Sequence, residues 1–185
     1  MSRVRLALQQ CSYLHLDISR SVNARWWRYL TVWFSQSFWI IVTYRSDRFF
    51  YLFFGKAWAA LRTLLLPLGF ILRPWIGRAE LSYRADIGGG LKILHPSLGV
   101  VVSRHSRCGK NMTLAGGNCI GGRKRLKSDS LVVGNNVFLG ANAVVLGPAR
   151  IGDNASIGAG AVVIDDVKDG VSVVGVPARP VASGK

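Results

Sequence analysis

Acidic residues are scarce in this sequence. Nine Asp and Glu stand against 24 Lys and Arg among 185 residues, so the formal net charge is +15. Such a surplus predicts attraction to anionic partners, namely phosphorylated cofactors, anionic lipid, acidic glycans or nucleic acid. No nucleic-acid recognition motif is visible, and the basic residues are interleaved with aromatics typical of membrane-active segments. We therefore expect no nucleic-acid partner.

Cysteine and histidine are also scarce, with three of each. Cys11, Cys108 and Cys119 form no CxxC pair, and an odd number does not suggest a disulfide framework. The histidines are scattered, and no Cys/His spacing suits zinc. We therefore expect a reducing, cytoplasmic setting and no metal site.

Long uninterrupted apolar runs are missing from the chain, and the N-terminus lacks a signal-peptide pattern. Residues 29–44 are too few, and residues 49–72 are interrupted by Lys56, Arg62 and Pro67, whereas a spanning helix needs roughly 20 apolar residues. Aromatic and leucine faces flanked by Arg are typical of helices that lie in the membrane interface. We expect peripheral association with the cytoplasmic face of the inner membrane. A helical oligomer core and a re-entrant or spanning segment are the alternatives.

Glycine is nearly absent from the first 79 residues, which hold three of the 21 glycines. The same stretch contains all six tryptophans and all the phenylalanines except Phe138. This change of composition predicts two parts, a helical, aromatic-rich region over residues 1–79 and a second domain over residues 80–185.

The second domain repeats every six residues, a period that neither an amphipathic helix nor a simple strand has. Aliphatic residues recur at Val133, Leu139, Val145, Ile151, Ile157 and Val163. A triangular coil explains this period, because each hexad forms one short strand and a corner and three hexads close a turn. The repeat predicts a mainly β fold, a left-handed parallel β-helix of hexapeptide repeats preceded by α-helices.

The same phase continues upstream through Val102, Cys108, Leu114 and Ile120, and a shifted phase covers Ile87 and Ile93. The shift between Ile93 and Val102 predicts an irregular corner. Residues 121–131 are too polar for a side of the coil and are predicted to form an excursion loop.

The repeats and the segments IGGGLKILHPSLGVVV, VGNNVFLGANAVVLG and GVPARPV resemble the hexapeptide-repeat acetyltransferases. The resemblance covers roughly the last 100 residues. It is strongest to the serine acetyltransferase-like branch and to relatives that modify polysaccharides such as colanic acid. It implies a homotrimer that binds acetyl-CoA between the coils of adjacent subunits.

The resemblance also places the catalytic histidine at His95 and its carboxylate partner at Glu80, where the family usually has Asp. A neutral imidazole can remove the proton of an attacking hydroxyl near pH 7, and a carboxylate on the other ring nitrogen fixes its tautomer. Attack is expected to be direct, without an acyl-enzyme.

Other positions are assigned by the same resemblance. The residues expected to line the acetyl-CoA channel are Gly140, Ala141, Gly158 and Ala159, with Arg179 at its end. Small residues there also permit tight corners, and Arg179 could simply cap the coil. Arg123 and Lys124 could hold CoA phosphates or an anionic acceptor, or lie in a solvated loop.

Two departures from the serine acetyltransferases concern the acceptor. Those enzymes carry Asp immediately before the catalytic histidine, where this chain has Leu94, and a second histidine where it has Ser130. We therefore expect an O-acetyltransferase acting on a saccharide hydroxyl, on a lipid-linked precursor of exopolysaccharide or capsule. The alternatives are serine O-acetylation for cysteine biosynthesis and a non-catalytic trimeric scaffold at the membrane surface.

Overall fold

The computed structural model describes residues 3–22, 27–65, 67, 79–122 and 130–181. Among the N-terminal residues that the structure describes, the elements with described bounds are four α-helices and a 3-10 turn at Val32–Phe34. The helices are α1 (Arg3–Val22), α2 (Arg28–Thr31), α3 (Gln36–Phe54) and α4 (Lys56–Leu64). Gly55 separates α3 from α4 with φ of 61°, a conformation that costs glycine little.

Short strands then follow one another through residue 181. They are β1 (Ala79–Leu81), β2 (Asp86–Ile87), β3 (Lys92–Ile93), β4 (Val100–Val102), β5 (Ser106–Cys108), β6 (Thr113–Leu114), β7 (Asn118–Gly122), β8 (Leu131–Val133), β9 (Phe138–Leu139), β10 (Val144–Gly147), β11 (Ala149–Ile151), β12 (Ser156–Ile157), β13 (Val162–Val163), β14 (Ser172–Val174) and β15 (Arg179–Val181). Through β13, every third strand pairs in parallel, and β14 then pairs in parallel with β12, so the strands form three sheets around one interior.

The three sheets are the sides of the predicted coil. Sheet A has the order β1-β4-β7-β10-β13, sheet B the order β11-β8-β5-β2, and sheet C the order β15-β14-β12-β9-β6-β3. The last pairing, β14 with β15, is antiparallel and ends the coil. The left-handed parallel β-helix and the preceding helices confirm the predicted fold class.

The predicted register of 18 residues per coil is confirmed where no residue is inserted. Leu139 pairs with Ile157, and Val145 pairs with Val163. The repeated aliphatic side chains fill the interior and are at most 4% exposed. Burial of these side chains, at roughly 25 cal/mol per Å² of apolar surface, is the main stabilising contribution to the coil.

Two interruptions explain the shifts in phase. The irregular corner predicted after Ile93 contains a 3-10 turn at Pro96–Leu98, and the register across it lengthens to the 21 residues that separate Ile93 from its partner Leu114. Strand β7 extends to Gly122 and β8 begins at Leu131. The middle of the predicted excursion loop, residues 123–129, lies outside the described residues.

The helices pack on the first coil. Ile40, Ile41 and Tyr44 of α3 belong to the same buried core as the interior of the β-helix. The Tyr44 hydroxyl donates to the carbonyl of Ala85 at 3.0 Å and accepts from the N–H of Ile87 at 3.2 Å. Burial raises the pKa of Tyr44 to about 12, so this phenol remains a donor at neutral pH.

Not all aromatic side chains of the helical part are used in this packing. Trp33, Phe34, Phe53 and Phe54 are exposed. Among the described residues, no helix combines the length and apolar character needed to cross a bilayer.

Candidate active site

Successive coils stack equivalent residues at the corner between sheets C and A. The residues at this corner are His95, Gly116, Gly140, Ala141, Gly158 and Ala159, and we call them the corner column. Each of its four levels follows a strand of sheet C, namely β3, β6, β9 and β12. Strand spacing gives the column a length of about 14 Å. The structure therefore places the predicted base and the predicted channel residues along one edge of the β-helix.

Backbone contacts join the levels of the column. The N–H of His95 donates to the carbonyl of Ala115 at 3.0 Å, and the N–H of Asn142 donates to the carbonyl of Gly116 at 2.8 Å. The N–H of Gly160 donates to the carbonyl of Ala141 at 2.8 Å. These bonds fix the spacing between His95 and the upper coils.

His95 is the residue at which β3 ends and the 3-10 turn Pro96–Leu98 begins. Its side chain is exposed, and its carbonyl accepts from the N–H of Leu98 at 3.3 Å. The imidazole makes no hydrogen bond or ion pair with the described residues, so it can meet a hydroxyl arriving from solvent.

Glu80 lies in the middle of β1, opposite Val101 of β4, and β4 begins where the corner containing His95 ends. Its carboxylate is exposed and forms no hydrogen bond with His95 in the described structure. The structure thus places Glu80 on the strand that borders the His95 corner, without joining the two side chains.

Steric crowding between neighbouring coils explains why the column contains glycines. A Cβ on Gly116 would lie 2.4 Å from the carbonyl oxygen of His95, and one on Gly140 would lie 2.5 Å from the backbone nitrogen of Ala159. A Cβ on Gly158 would lie 2.7 Å from a methyl group of Val174. Neighbouring coils can approach this closely only because these positions lack side chains.

The two positions that depart from the serine acetyltransferases lie at different corners of one chain. Leu94 immediately precedes His95 and is 40% exposed. Ser130 lies at the start of sheet B, where its carbonyl accepts from the N–H of Ala149 at 3.1 Å. A single copy of the chain does not bring Ser130 to the corner column.

Of the predicted phosphate-binding residues, one lies in the described part of the chain. Arg179 begins β15 and pairs with Asp165 at 3.2 Å, and both side chains are mostly exposed. Because an exposed ion pair is weak, this guanidinium remains available to an anion. Arg123 and Lys124 lie outside the described residues.

A buried ionic network that sequence reasoning missed joins the helices to the first coil. Arg45 donates to Asp17 through Nε at 2.8 Å and to the carbonyls of Ile87 and Gly88, both at 2.7 Å. Asp17 accepts from the N–H groups of Gly90 and Leu91 at 2.6 and 2.7 Å. Burial raises the pKa of Asp17, and these donors oppose the rise.

Two further side chains of the helices bond to the first coils near the strand that leads into His95. Ser37 of α3 donates through its hydroxyl to the carbonyl of Ile93 at 2.9 Å. Arg20 of α1 donates to the carbonyl of Gly90 at 2.6 Å and to the hydroxyl of Thr113 at 2.9 Å. The run of glycines at 88–90 is the sequence feature that indicates close packing of the helices here. Tyr13 and Leu16 occupy the space that a side chain on Gly89 would need.

The cysteines are all free thiols. Cys108 fills an interior hexad position, and burial raises its pKa to about 12, which makes it unreactive at neutral pH. Among the described residues, no three potential metal ligands cluster.

Comparison with known proteins agrees with this architecture. The family model for the bacterial transferase hexapeptide (six repeats) matches residues 130–165. The comparison with curated protein sequences returns no match.

Several solved serine acetyltransferases are similar to the chain. The enzyme from Neisseria gonorrhoeae is 30% identical with a TM-score of 0.77, and the match covers 98% of this chain and 70% of that one. The same enzyme in complex with serine is 29% identical with a TM-score of 0.74, covering 96% of this chain and 72% of the other. A serine acetyltransferase in complex with CoA is 27% identical with a TM-score of 0.61, covering 80% and 57%.

The matches to the Neisseria structures include the helices as well as the coil, since they span nearly the whole chain. Together with the family model and the corner geometry, they confirm the resemblance drawn from the hexads. The chain belongs to the hexapeptide-repeat acetyltransferases, in their serine acetyltransferase-like branch.

Proposed function

We propose that this acyltransferase moves the acetyl group of acetyl-CoA to an acceptor hydroxyl, with His95 as the general base. The observation that carries the proposal is the corner column, which aligns His95 with the small residues of three further coils. An extended pantetheine arm fits such a column because Ala141 and Ala159 leave the backbone accessible. The CoA complex of a similar enzyme supports this donor.

In the proposed reaction, the His95 imidazole takes the hydroxyl proton as the acceptor oxygen attacks the thioester carbonyl. The resulting imidazolium returns that proton to the sulfur of CoA as the carbon–sulfur bond breaks. The acetyl ester and free CoA are the products, and no acetyl group is carried by the protein. A carboxylate at Glu80 would hold the second ring nitrogen once the side chains close on a bound acceptor.

For the acceptor, we propose free serine, which differs from the saccharide expected from the sequence. The serine complex of a similar enzyme supports it. The aromatic-rich helical region does not separate this chain from the serine acetyltransferases, because the match to the Neisseria enzyme includes that region. Membership in an acetyltransferase family also favours catalysis over a purely structural scaffold.

A saccharide hydroxyl remains the second candidate because of Leu94. This apolar, partly exposed side chain adjoins His95, where a carboxylate would otherwise meet the ammonium group of serine. An apolar contact suits the face of a sugar ring, and the sugar could belong to a lipid-linked precursor.

We propose that the active assembly is a homotrimer. Sheet A supports this with an apolar outer row, Val101, Cys119, Val144 and Val162, which lie in register across four strands. A second copy would also bring its own sheet B corner, with Ser130, towards the corner column of the first. Measurement of the molecular mass in solution tests this assembly, and a mass of three chains is expected.

We also propose that the enzyme works at the cytoplasmic face of the inner membrane, as a peripheral protein. The exposed aromatics of the helical part and the basic charge support this placement.

The experiment that separates the two acceptors supplies acetyl-CoA with millimolar serine, or with oligosaccharides from surface polysaccharide, and identifies the products by mass spectrometry. Formation of O-acetylserine that is lost in His95→Ala supports the leading proposal. Formation of acetylated sugar without O-acetylserine would instead identify the saccharide hydroxyl as the acceptor. If neither product forms while acetyl-CoA binds, both acceptor proposals are wrong.

A further inference from the structure

An exposed apolar surface lies where α3 meets α4. We call it the helix-end surface and define it by Phe53, Phe54, Leu61 and Leu64, with Arg3 and Lys56 beside it. Phe53 and Phe54 are 50% and 54% exposed, and Leu64 is 76% exposed. Such a group of large apolar side chains is unusual on a surface that meets only water.

The rings of this surface form one cluster rather than isolated side chains. The ring centroids of Phe53 and Phe54 are 4.9 Å apart, and the Phe54 ring stacks 6.3 Å from that of the neighbouring Phe50. Phe50 in turn lies 4.7 Å from Trp58 of α4. The ion pair between Arg62 and Asp47, at 2.9 Å, also ties α4 to α3. The fold therefore holds these aromatic rings together at the end of the helices.

Positive charge lies next to the rings. The guanidinium of Arg3, at the start of α1, lies 3.4 Å from the position that a Cβ would occupy on Gly55. Lys56 follows Gly55 directly and is exposed. Both cations are therefore beside the junction of α3 and α4.

Acidic residues are scarce in the same part of the molecule. Residues 1–79 contain eleven basic residues and two acidic ones, a net charge of +9. The two acids are Asp17, fully buried against Arg45, and Asp47, paired with Arg62. No carboxylate in this part is left to neutralise the cations beside the rings.

Exposed aromatic rings beside cations without acidic neighbours favour one kind of partner over another. A second copy placed on the same surface would bring identical cations together with no acid to receive them, which opposes self-association. An anionic bilayer accepts the aromatic rings at its headgroup level and attracts the cations.

We propose that the helix-end surface docks the protein onto anionic lipid, with Phe53 and Phe54 entering the interface and Arg3 and Lys56 meeting the headgroups. This inference rests on the peripheral placement proposed above and is independent of the acceptor.

Vesicle flotation of the full chain tests the proposal. The protein is expected to float with vesicles of phosphatidylglycerol and phosphatidylcholine in equal parts, and not with pure phosphatidylcholine. Removing one cation, by Arg3→Gln or Lys56→Gln, is expected to weaken partitioning about fivefold, and added salt should weaken it further. Lys168→Gln, an exposed lysine of the coil, is the matched control and should bind as the wild type does.

The aromatic contribution is tested with Phe53→Ser/Phe54→Ser, for which loss of flotation is expected. Phe34→Ser is the matched control, because Phe34 is 89% exposed at a different place in the helical part. Circular dichroism establishes that each variant is folded. Acetyl transfer in lipid-free solution should be unchanged in the double variant, so failure to dock and failure of catalysis are distinguishable.

Several results would overturn the proposal. These are absence of wild-type binding, equal binding to neutral and anionic vesicles, and undiminished binding by the Phe53/Phe54 and cation variants. Loss of binding in Phe34→Ser alone would assign docking to another surface. A smaller oligomer for the Phe53/Phe54 variant in lipid-free solution would show that a second copy covers this surface.

Discussion

Arg45 of α3 and Asp17 of α1 form a fully buried ion pair, with Nε and Oδ2 2.8 Å apart. The pair does more than join two helices, because its remaining donors and acceptors satisfy the backbone of Ile87–Leu91 at the edge of the first coil. An uncovered sheet edge would leave those backbone groups unpaired. The helices thus cap the β-helix at the end where His95 lies.

Asp17→Asn is expected to destabilise the protein by about 3–5 kcal/mol, since it leaves the buried guanidinium of Arg45 without its counter-charge. Urea unfolding followed by circular dichroism measures this loss. Asp47→Asn removes a partly exposed ion pair from α3, the helix that carries Arg45, and should change stability by less than about 1 kcal/mol. Equal effects of the two variants would show that the buried network is not what holds the helices to the coil.

Ala159→Leu is expected to weaken acetyl-CoA binding because the larger side chain would project into the corner column. Ala159 is exposed, so the free energy of unfolding should change by less than about 0.5 kcal/mol. Calorimetric titration with CoA measures the affinity. Arg104→Leu places the same side chain on another corner and should bind CoA as the wild type does; unchanged binding by both variants would remove the column from the donor site.

The pH dependence of stability should include a contribution from Asp153. Its carboxylate accepts from the backbone N–H of Asn135 at 2.6 Å and from the Asn135 side chain, and these bonds lower its pKa below the ordinary value of 3.8. Because the folded-state pKa is depressed, the contribution is present above that value and is lost as the pH falls through the folded-state pKa. The stability difference between wild type and Asp153→Asn, measured by denaturation across acidic pH, should therefore shrink on acidification. A difference that stays constant would contradict this assignment.

Leu94→Asp should raise kcat/KM for serine, because a carboxylate beside His95 can accept a charge-assisted hydrogen bond from the serine ammonium. The expected gain is about 10- to 100-fold. Leu98→Asp is the matched control, since Leu98 is an exposed leucine of the adjoining 3-10 turn. If neither variant alters serine turnover, Leu94 does not determine the acceptor.

The coil could be predicted from sequence because the six-residue pattern that encodes it is local. Each hexad places one aliphatic side chain inside, so Val133 and Ile151 reveal their pairing by their spacing alone. The corner column follows from the same rule, since Gly140 and Gly158 are also one coil apart. Even the irregular corner after Ile93 was detectable as a break in phase.

The buried network could not be predicted in this way. Asp17 and Arg45 lie in different helices, and no periodicity links them to each other or to the Gly90 N–H that Asp17 accepts from. Their pairing depends on how α1 and α3 lie against the first coil, which is a tertiary relationship. The acceptor is hard to predict for a related reason, because Leu94 and Ser130 lie at different corners.

The proposed reaction depends on His95 as the base at one end of a donor-binding column. The most direct measurement is the release of free CoA from acetyl-CoA with serine as acceptor, or with the acceptor oligosaccharide if that is the substrate, comparing wild type with His95→Ala. The His95→Ala rate is expected to be lower by about 10²- to 10⁴-fold, with CoA affinity by calorimetry unchanged. A His95→Ala enzyme that turns over at the wild-type rate would contradict the proposed role of His95.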